Sequence, residues 1–339
     1  MLYVGLDVHS NKINMTVIRQ DGQVERRRQM RSVAEMIEQL KRLPGPFKAA
    51  YEASCAYGLY YEVLTPLAQQ VVVAHPGRLH MIFRSKRKND RNDADWLARL
   101  LLVDAIPAVH VPAPEVQAWR ELITFRRRLA QKRTRVKNAL RALLRTVGVR
   151  PARKPGLWTQ RGLAWLRTLP FSQLSHAIKR DLMLDELAAL TAQVARVEKH
   201  LDQIAENNLS ICQLQSVPGI GPRTAEAIVA FVDDPHRFRH SKSVGSYFGL
   251  VPCQDQSGST NRLGHITREG SATVRHPLTE AVWRGVRKSP TIARYFARVQ
   301  REDPDRKKIA IVATAHYLIR VMWAMLKNGT LWRETHEAA

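Results

Sequence analysis

Between Trp119 and Arg145 the chain carries ten cations, Arg120, Arg126, Arg127, Arg128, Lys132, Arg133, Arg135, Lys137, Arg141 and Arg145, against one acid, Glu121. Leu122, Phe125, Leu129, Val136, Ala139 and Leu143 fall on heptad positions within that run, with Lys132 the only interruption. The spacing predicts a helix with an apolar seam and a basic exterior. A second run, Leu187, Leu190, Val194, Val197, Leu201 and Ile204, steps by three and four without a miss. Together they predict two coiled-coil-like helices, separated by the Pro-, Gly- and Arg-rich segment 148–156 and paired either within one chain or across a dimer. Ten like charges repel one another unless a polyanion screens them. Arg126, Arg127, Arg128, Lys132, Arg135 and Lys137 are therefore candidate nucleic-acid contacts, the competing reading being a solvated helix face.

The same bias runs through all 339 residues, where 54 Lys and Arg stand against 30 Asp and Glu for a formal net charge of +24. A polyanionic partner is the expectation for such a surface. Hydrophobic residues make up 45% of the chain, enough for folded domains rather than a disordered basic tail. Cys55, Cys212 and Cys253 show no paired spacing, so neither a disulfide framework nor a zinc site is encoded and a reducing cytoplasm fits. No run approaches the roughly 18 apolar residues of a membrane span, and the N-terminus lacks the features of a signal peptide.

Residues 2–8 alternate apolar and other side chains and residues 13–18 continue in kind before Asp21-Gly22, the pattern of a strand pair and a hairpin turn. Ser32-Val33-Ala34-Glu35 has capping-box spacing and leads into a helix that Pro44-Gly45-Pro46 stops. Residues 47–53 read as a strand, a helix follows from about Tyr57, and Val71-Val72-Val73-Ala74 reads as a buried strand. An α/β domain over residues 1–110 is expected. Pro107, Pro112 and Pro114 then punctuate a linker, beyond which a helical middle (111–208) and a mostly helical C-terminal domain (209–339) are expected. Within the last, Val217-Pro218-Gly219-Ile220-Gly221-Pro222 between helical segments resembles a helix-hairpin-helix, in which backbone N–H groups at Gly219 and Gly221 hold a DNA phosphate.

Two sets of residues carry candidate chemistry. Asp7 and Glu52 lie near the ends of predicted strands, where α/β sheets commonly form a site, and Asp90 and Asp93 face the same side of a helix or its first turn. Four such carboxylates can hold one or two Mg2+ ions about 4 Å apart. The competing reading makes Asp90 a helix cap, Asp93 a first-turn dipole partner and Asp7 a turn acid. The second set is the basic segment around Ser257, where Ser257, Ser259 and Thr260 compete as nucleophile toward phosphorus and Arg262, His265 and Arg268 are placed to orient a phosphodiester or simply to contact the DNA backbone.

Gly5-Leu6-Asp7-Val8, Tyr51-Glu52-Ala53-Ser54, Asp90-x-x-Asp93-Ala94, Ser216 to Gly221, and Phe248-Gly249-Leu250-Val251-Pro252 followed by Ser257-Gly258-Ser259 occur in order. In these motifs the chain resembles, over essentially its full length, the DEDD transposases of insertion sequences, relatives of the Piv-type DNA invertases and of bridge-RNA-guided recombinases. The resemblance implies a RuvC-like, RNase H-type N-terminal domain, a coiled-coil middle and a C-terminal transposase domain. It implies that Asp7, Glu52, Asp90 and Asp93 hold Mg2+ and that Ser257, rather than Ser259, forms a covalent phosphoserine with DNA. It further implies double-stranded element and target DNA as substrates, a structured noncoding guide RNA that supplies sequence specificity by base pairing, and a dimer or tetramer with the site completed between protomers. Asp95 is one acid more than that pattern needs. Two rival readings of the residues are a metal-dependent nuclease or junction resolvase that uses only the four acids and water, and a non-enzymatic architectural nucleic-acid binder.

Overall fold

The structure is a computed structural model that describes residues 1–54, 56–82, 90–151, 156–257 and 260–334. The chain divides into two compact units, Met1–Gln117 and Ala118–Ala339.

The first unit is built on a five-stranded sheet. The strands β1 (Leu2–Val8), β2 (Ile13–Arg19) and β3 (Val24–Met30) form an antiparallel meander, while β4 (Phe47–Glu52) and β5 (Gln70–Ala74) add in parallel on the other side of β1, giving the order β3-β2-β1-β4-β5. Four helices follow the strands: α1 (Val33–Lys41), α2 (Tyr57–Leu64), α3 (Pro76–Ile82) and α4 (Asp90–Leu102). The expected capping box opens α1, with the Ser32 hydroxyl accepting from the Glu35 amide at 3.1 Å and the Glu35 carboxylate accepting from the Arg31 amide at 2.9 Å. Strand periodicity sorts the sheet into two faces. Leu2, Val4 and Leu6, with Met15, Val17, Ala49 and Tyr51, pack into one core with Met36 and Leu40 of α1 and Tyr60 and Leu64 of α2. The intervening residues look to the opposite face, against which α4 packs on β1, β2 and β4. The mixed sheet is consistent with the RuvC-like expectation. Strand β3, Val-Glu-Arg-Arg-Arg-Gln-Met, has no apolar alternation of its own to predict it; as an edge strand it takes its register from β2.

The second unit is mostly helical: α5 (Pro114–Thr146, whose first turn precedes the unit), α6 (Gln160–Thr168), α7 (Leu174–Glu206), α8 (Leu209–Gln215), α9 (Pro222–Val232), α10 (Ser241–Tyr247), α11 (Ala272–Lys288), α12 (Pro290–Gln300) and α13 (Lys307–Asn328). A β-ribbon of β6 (Pro252–Ser257) and β7 (Thr260–Ile266) is formed by the basic segment around Ser257. The two long helices pair within the chain. Leu129, Val136, Leu140 and Leu144 of α5 pack with Leu166 of α6 and with Leu184, Leu187, Leu190 and Val194 of α7. At the other end Trp119 and Ile123 of α5 and Leu201 of α7 enter the core of α8 to α13. The expected heptad register of α5 is corrected in part. Phe125 is 50% exposed and Ala139 is exposed, while Trp119, Ile123, Leu140 and Leu144 are buried in their place. A 3.5-residue repeat drifts about 20° per heptad on a straight helix of 3.6 residues per turn, and α5 changes neighbours halfway along. One end of the middle segment therefore joins the core of the C-terminal helices, while the rest packs around a core of its own.

One helix departs from the expectation that no apolar run is long enough for a bilayer. Pro304–Asn328 reaches a mean hydropathy of 1.7, yet half of that window is buried, and Ala315, Leu318, Ile319 and Met322 of α13 lie at the centre of the helical core.

Candidate active site

In the first unit the site begins with strand parity. Leu6 pairs with Tyr51 across parallel β1 and β4, so Asp7 and Glu52 are the next residues along adjacent strands, both on the face covered by α4. Hydrogen bonds confirm the parity on β2: Asn14 Nδ2 donates to Asp7 Oδ2 at 3.3 Å, and Thr16 Oγ1 donates to Asp95 Oδ1 of α4 at 2.5 Å. Asp7 is 9% exposed and also meets His9 Nε2 at 2.9 Å. Neither His9 nor Asn14 was singled out by the sequence. Their signal was available, since His9 follows Asp7 by two residues, just past the strand end, and Asn14 is the residue that a tight β1–β2 hairpin places opposite Asp7.

Helix α4 reaches this face through Gly5. A Cβ there would lie 2.0 Å from Ala94 O and 2.6 Å from Ala98 N, so only glycine lets the helix backbone rest on β1. Ala94 follows Asp93, and Gly5 precedes Asp7 by two on the same strand face. This contact therefore sets the first turn of α4 beside the ends of β1 and β4. Asp90 opens α4, but its side chain, like the basic residues Arg84, Lys86, Arg87 and Lys88 before it, lies outside the described residues. The surplus acid Asp95 is accounted for: it pairs with Arg27 of β3 at 2.5 Å as well as with Thr16. Burial alone would raise its pKa, but the hydrogen bonds from Arg27 and Thr16 hold it below the usual carboxylate value. Asp95 fixes α4 to the sheet edge. Among the described residues no group of three or more His, Cys, Asp and Glu is close enough together to hold a metal ion. The donor set is nonetheless one of hard carboxylate oxygens on three elements, the chemistry that suits a divalent cation.

In the second unit Ser257 ends β6 and pairs with Thr260, and Gly258 and Ser259 between them lie outside the described residues. Every residue of β6 is exposed. Gln254 Nε2 donates to Asn261 Oδ1 at 2.9 Å on one face. Ser257, Asp255 and its partner Arg262 therefore share the other face, with Arg262 two residues back from the serine. A two-stranded ribbon is marginal alone, so its root must hold it. Gly249 at φ 64° and Gly270 at φ 71° meet the opposing backbone so closely that a Cβ would lie 2.2 Å from Glu269 O and 2.0 Å from Tyr247 O. Arg275 of α11 donates to Phe248 O and Glu269 O, both at 3.0 Å. Arg268, a candidate phosphate contact, sits in that root at φ 56° and donates its amide to Gly249 O at 3.2 Å.

The basic helix divides by partner. Arg126 donates to Glu198 of α7 at 2.8 Å, Arg120 to Ala230 O at 2.7 Å, and Lys137 and Arg141 lie over the Trp158 ring at 5.2 and 5.3 Å. Burial, and then Arg133 and Arg141, lower the pKa of Lys137. Arg127, Arg128, Lys132 and Arg135 make no hydrogen bond or ion pair among the described residues. Beside them a cleft of about 570 Å3 opens between α5, α7, α9 and α11, with Glu226 at its floor. Glu226 is 1% exposed, accepts from Trp119 Nε1 at 3.3 Å and from Arg223 Nη1 at 2.8 Å, and is pushed up to about 7 by burial. Trp119 is thus core, whereas Trp96 and Trp165 are 46% and 39% exposed. The hairpin glycines part company. Gly219, at φ 94°, is packed so tightly on α11 that a Cβ would lie 2.6 Å from Gly285 N, while Gly221, the cap of α9, faces open space.

A family model described as Transposase IS116/IS110/IS902 family matches residues 212–297, and a DEDD transposase model of the IS110 type matches residues 4–149. The chain is 27% identical over 340 residues to a protein of Pseudomonas aeruginosa described as "Probable family 20 transposase", covering 97% of this chain and 98% of that one. It is 29% identical to the transposase for insertion sequence element IS1111A of Coxiella burnetii, over 73% of this chain and 68% of the relative. It is 27% identical to the pilin gene-inverting protein of Moraxella lacunata, over 39% and 42% of the two chains.

Proposed function

Because the chain belongs to the DEDD transposases of insertion sequences, whose members cut and rejoin DNA, we propose that it is a Mg2+-dependent, RNA-guided DNA recombinase in which Ser257 is the nucleophile. The observation that carries this reading is the placement of the acids. Asp7 and Glu52 end neighbouring parallel strands on the face that α4 covers, and Gly5 brings the first turn of α4, with Asp93, onto that face. Asp7, Glu52, Asp90 and Asp93 would hold the cation, which when bound neutralises phosphate oxygens in the transition state. His9 and Asn14 orient the Asp7 carboxylate for that task.

The exposed ribbon tip supports the role of Ser257, since a nucleophile that must reach a backbone phosphate of a bulky duplex needs to project from the surface. The serine oxygen attacks phosphorus and loses its proton, and a deoxyribose oxygen leaves as a hydroxyl. One phosphodiester is exchanged for one phosphoserine ester, so the strand can be rejoined without an external energy source. Arg262, on the same ribbon face, stabilises the charge on the phosphorus oxygens. Arg127, Arg128, Lys132 and Arg135, which make no ion pair among the described residues, contact phosphate and carry no sequence information of their own, which fits specificity supplied by a structured noncoding RNA that pairs with element and target DNA. The working species is a homo-oligomer, dimer or tetramer, acting in the cytoplasm, with the acids of one protomer and the serine of another completing a site.

The test incubates the full chain with its element-end RNA, matching duplex DNA and Mg2+, and looks for a protein–DNA adduct that survives denaturant. The adduct is expected with the wild type and absent with Ser257→Ala. Cleavage that persists unchanged in the variant, without adduct, would move the chemistry to the four acids and water.

A further inference from the structure

The cleft of the second unit has a composition that nucleic-acid backbone contact alone does not require. Its apolar lining, Ile123, Ala130, Leu201, Ala227 and Pro277, is drawn from α5, α7, α9 and α11. Its volume of about 570 Å3 falls within the range of sites that enclose a small organic molecule. Arg126 and Arg223, which also line it, are paired with Glu198 and with Asp202 and Glu226. Arg127 and Arg135 at the same cleft have no such partner among the described residues.

A second observation comes from the root of the ribbon. Arg275 is held by the carbonyls of Phe248 and Glu269 and by no carboxylate, and the nearby charges acting on it are Arg268 and Arg127. Guanidiniums from α5, α11 and the ribbon root therefore lie near enough to repel one another, and none of the three is paired with a carboxylate among the described residues. Uncompensated charge of this kind beside an apolar recess suits a ligand that is anionic at one end and flat and apolar at the other.

We propose that this cleft receives one unpaired nucleotide of a nucleic-acid strand, with the base in the apolar recess and the adjoining phosphate at Arg127, Arg268 and Arg275. Thr134, Gln131 and Thr273 supply hydrogen-bonding groups at its walls. The site is a positioning site. The ribbon separates its root from Ser257 by about six residue steps of roughly 3.4 Å, some 20 Å, so nothing in the cleft touches the reacting phosphorus. Holding one extruded nucleotide there would fix the register of the strand against the ribbon.

The proposal rests on the reading that this chain handles nucleic acid, and its test separates the two. The full chain is titrated at fixed ionic strength against labelled probes of one sequence: a perfect DNA duplex, the same duplex with a single unpaired nucleotide, and the RNA counterpart of the latter. The expected result is about tenfold tighter binding of an unpaired-nucleotide probe than of the perfect duplex, the DNA and RNA arms naming the source. Ala130→Phe, which fills the recess without changing charge, abolishes that preference and leaves the perfect duplex bound as before. Arg128→Ala, on the exposed outer face, weakens all probes alike. Arg127→Glu gives the same loss of preference if Ala130→Phe proves poorly folded by circular dichroism. Equal binding of paired and unpaired probes, or a preference that survives both substitutions, overturns the cleft assignment. Failure of the wild type to bind any probe overturns the nucleic-acid reading itself.

Discussion

Gly5→Ala tests whether one backbone contact positions the acids. The added Cβ would stand 2.0 Å from Ala94 O and 2.6 Å from Ala98 N, whereas ordinary contact begins near 3.4 Å. Neither obstacle is the end of a flexible side chain, so α4 must move off β1 by about 1 Å or more, taking Asp93 with it. Overpacking of this kind costs about 1–3 kcal/mol, or a loss of several degrees in Tm for a unit of this size. Because a displacement of about 1 Å among catalytic groups can cost about 100-fold in rate, adduct formation by Ser257 should fall about 100-fold while DNA binding through α5 persists. The assay pairs single-turnover adduct formation at saturating Mg2+ with thermal unfolding. Gly45→Ala is the control, since a Cβ at Gly45 meets nothing within 4 Å, and it should match the wild type in both. Wild-type rate and Tm in Gly5→Ala would refute the claim that this contact sets the site.

Four further outcomes are expected. Asp95→Asn, which weakens the pairing with a half-exposed Arg27, should cost no more than about 1 kcal/mol and leave metal-dependent adduct formation in place, because Asp95 serves the sheet edge and not the cation. Chelation of divalent cations should abolish strand cleavage yet spare DNA binding, read by gel shift and by product analysis on one sample. Burial raises the Glu226 carboxyl from 4.5 to about 7, so its contribution to stability is full below pH 4.5 and lost as pH rises to 7, by about 3 kcal/mol. Urea unfolding of the wild type should show that decline and Glu226→Gln should flatten it; identical slopes would count against the buried-carboxyl account. Burial, then Arg320, lowers the pKa of His316, whose Nε2 is buried without a hydrogen-bond partner among the described residues, so its contribution is present above pH 6.5 and lost as pH falls through the folded value. His316→Leu should remove that acid-side loss in the same titration.

The local pattern of this chain was enough to set the strands β1, β2, β4 and β5, the capped helix α1, the two long helices and the strongly basic face of α5, because each of these depends on neighbours within a few residues. The glycines and acids of Gly5-Leu6-Asp7 and Tyr51-Glu52 were legible as motifs for the same reason. Tertiary structure decided the rest. Strand β3 exists because β2 offers it an edge, and the seam of α5 shifts because one end packs on α7 and the other on the C-terminal core. The segment before Ser257 becomes an exposed ribbon because Gly249 and Gly270 lock its root, and Gly219 packs closely against α11. Which of the ten cations are neutralised was equally invisible, since Glu198, Asp233 and Trp158 reach α5 from distant parts of the chain. Periodicity reports which residues want burial; only packing determines what they meet, and charge compensation follows from what they meet.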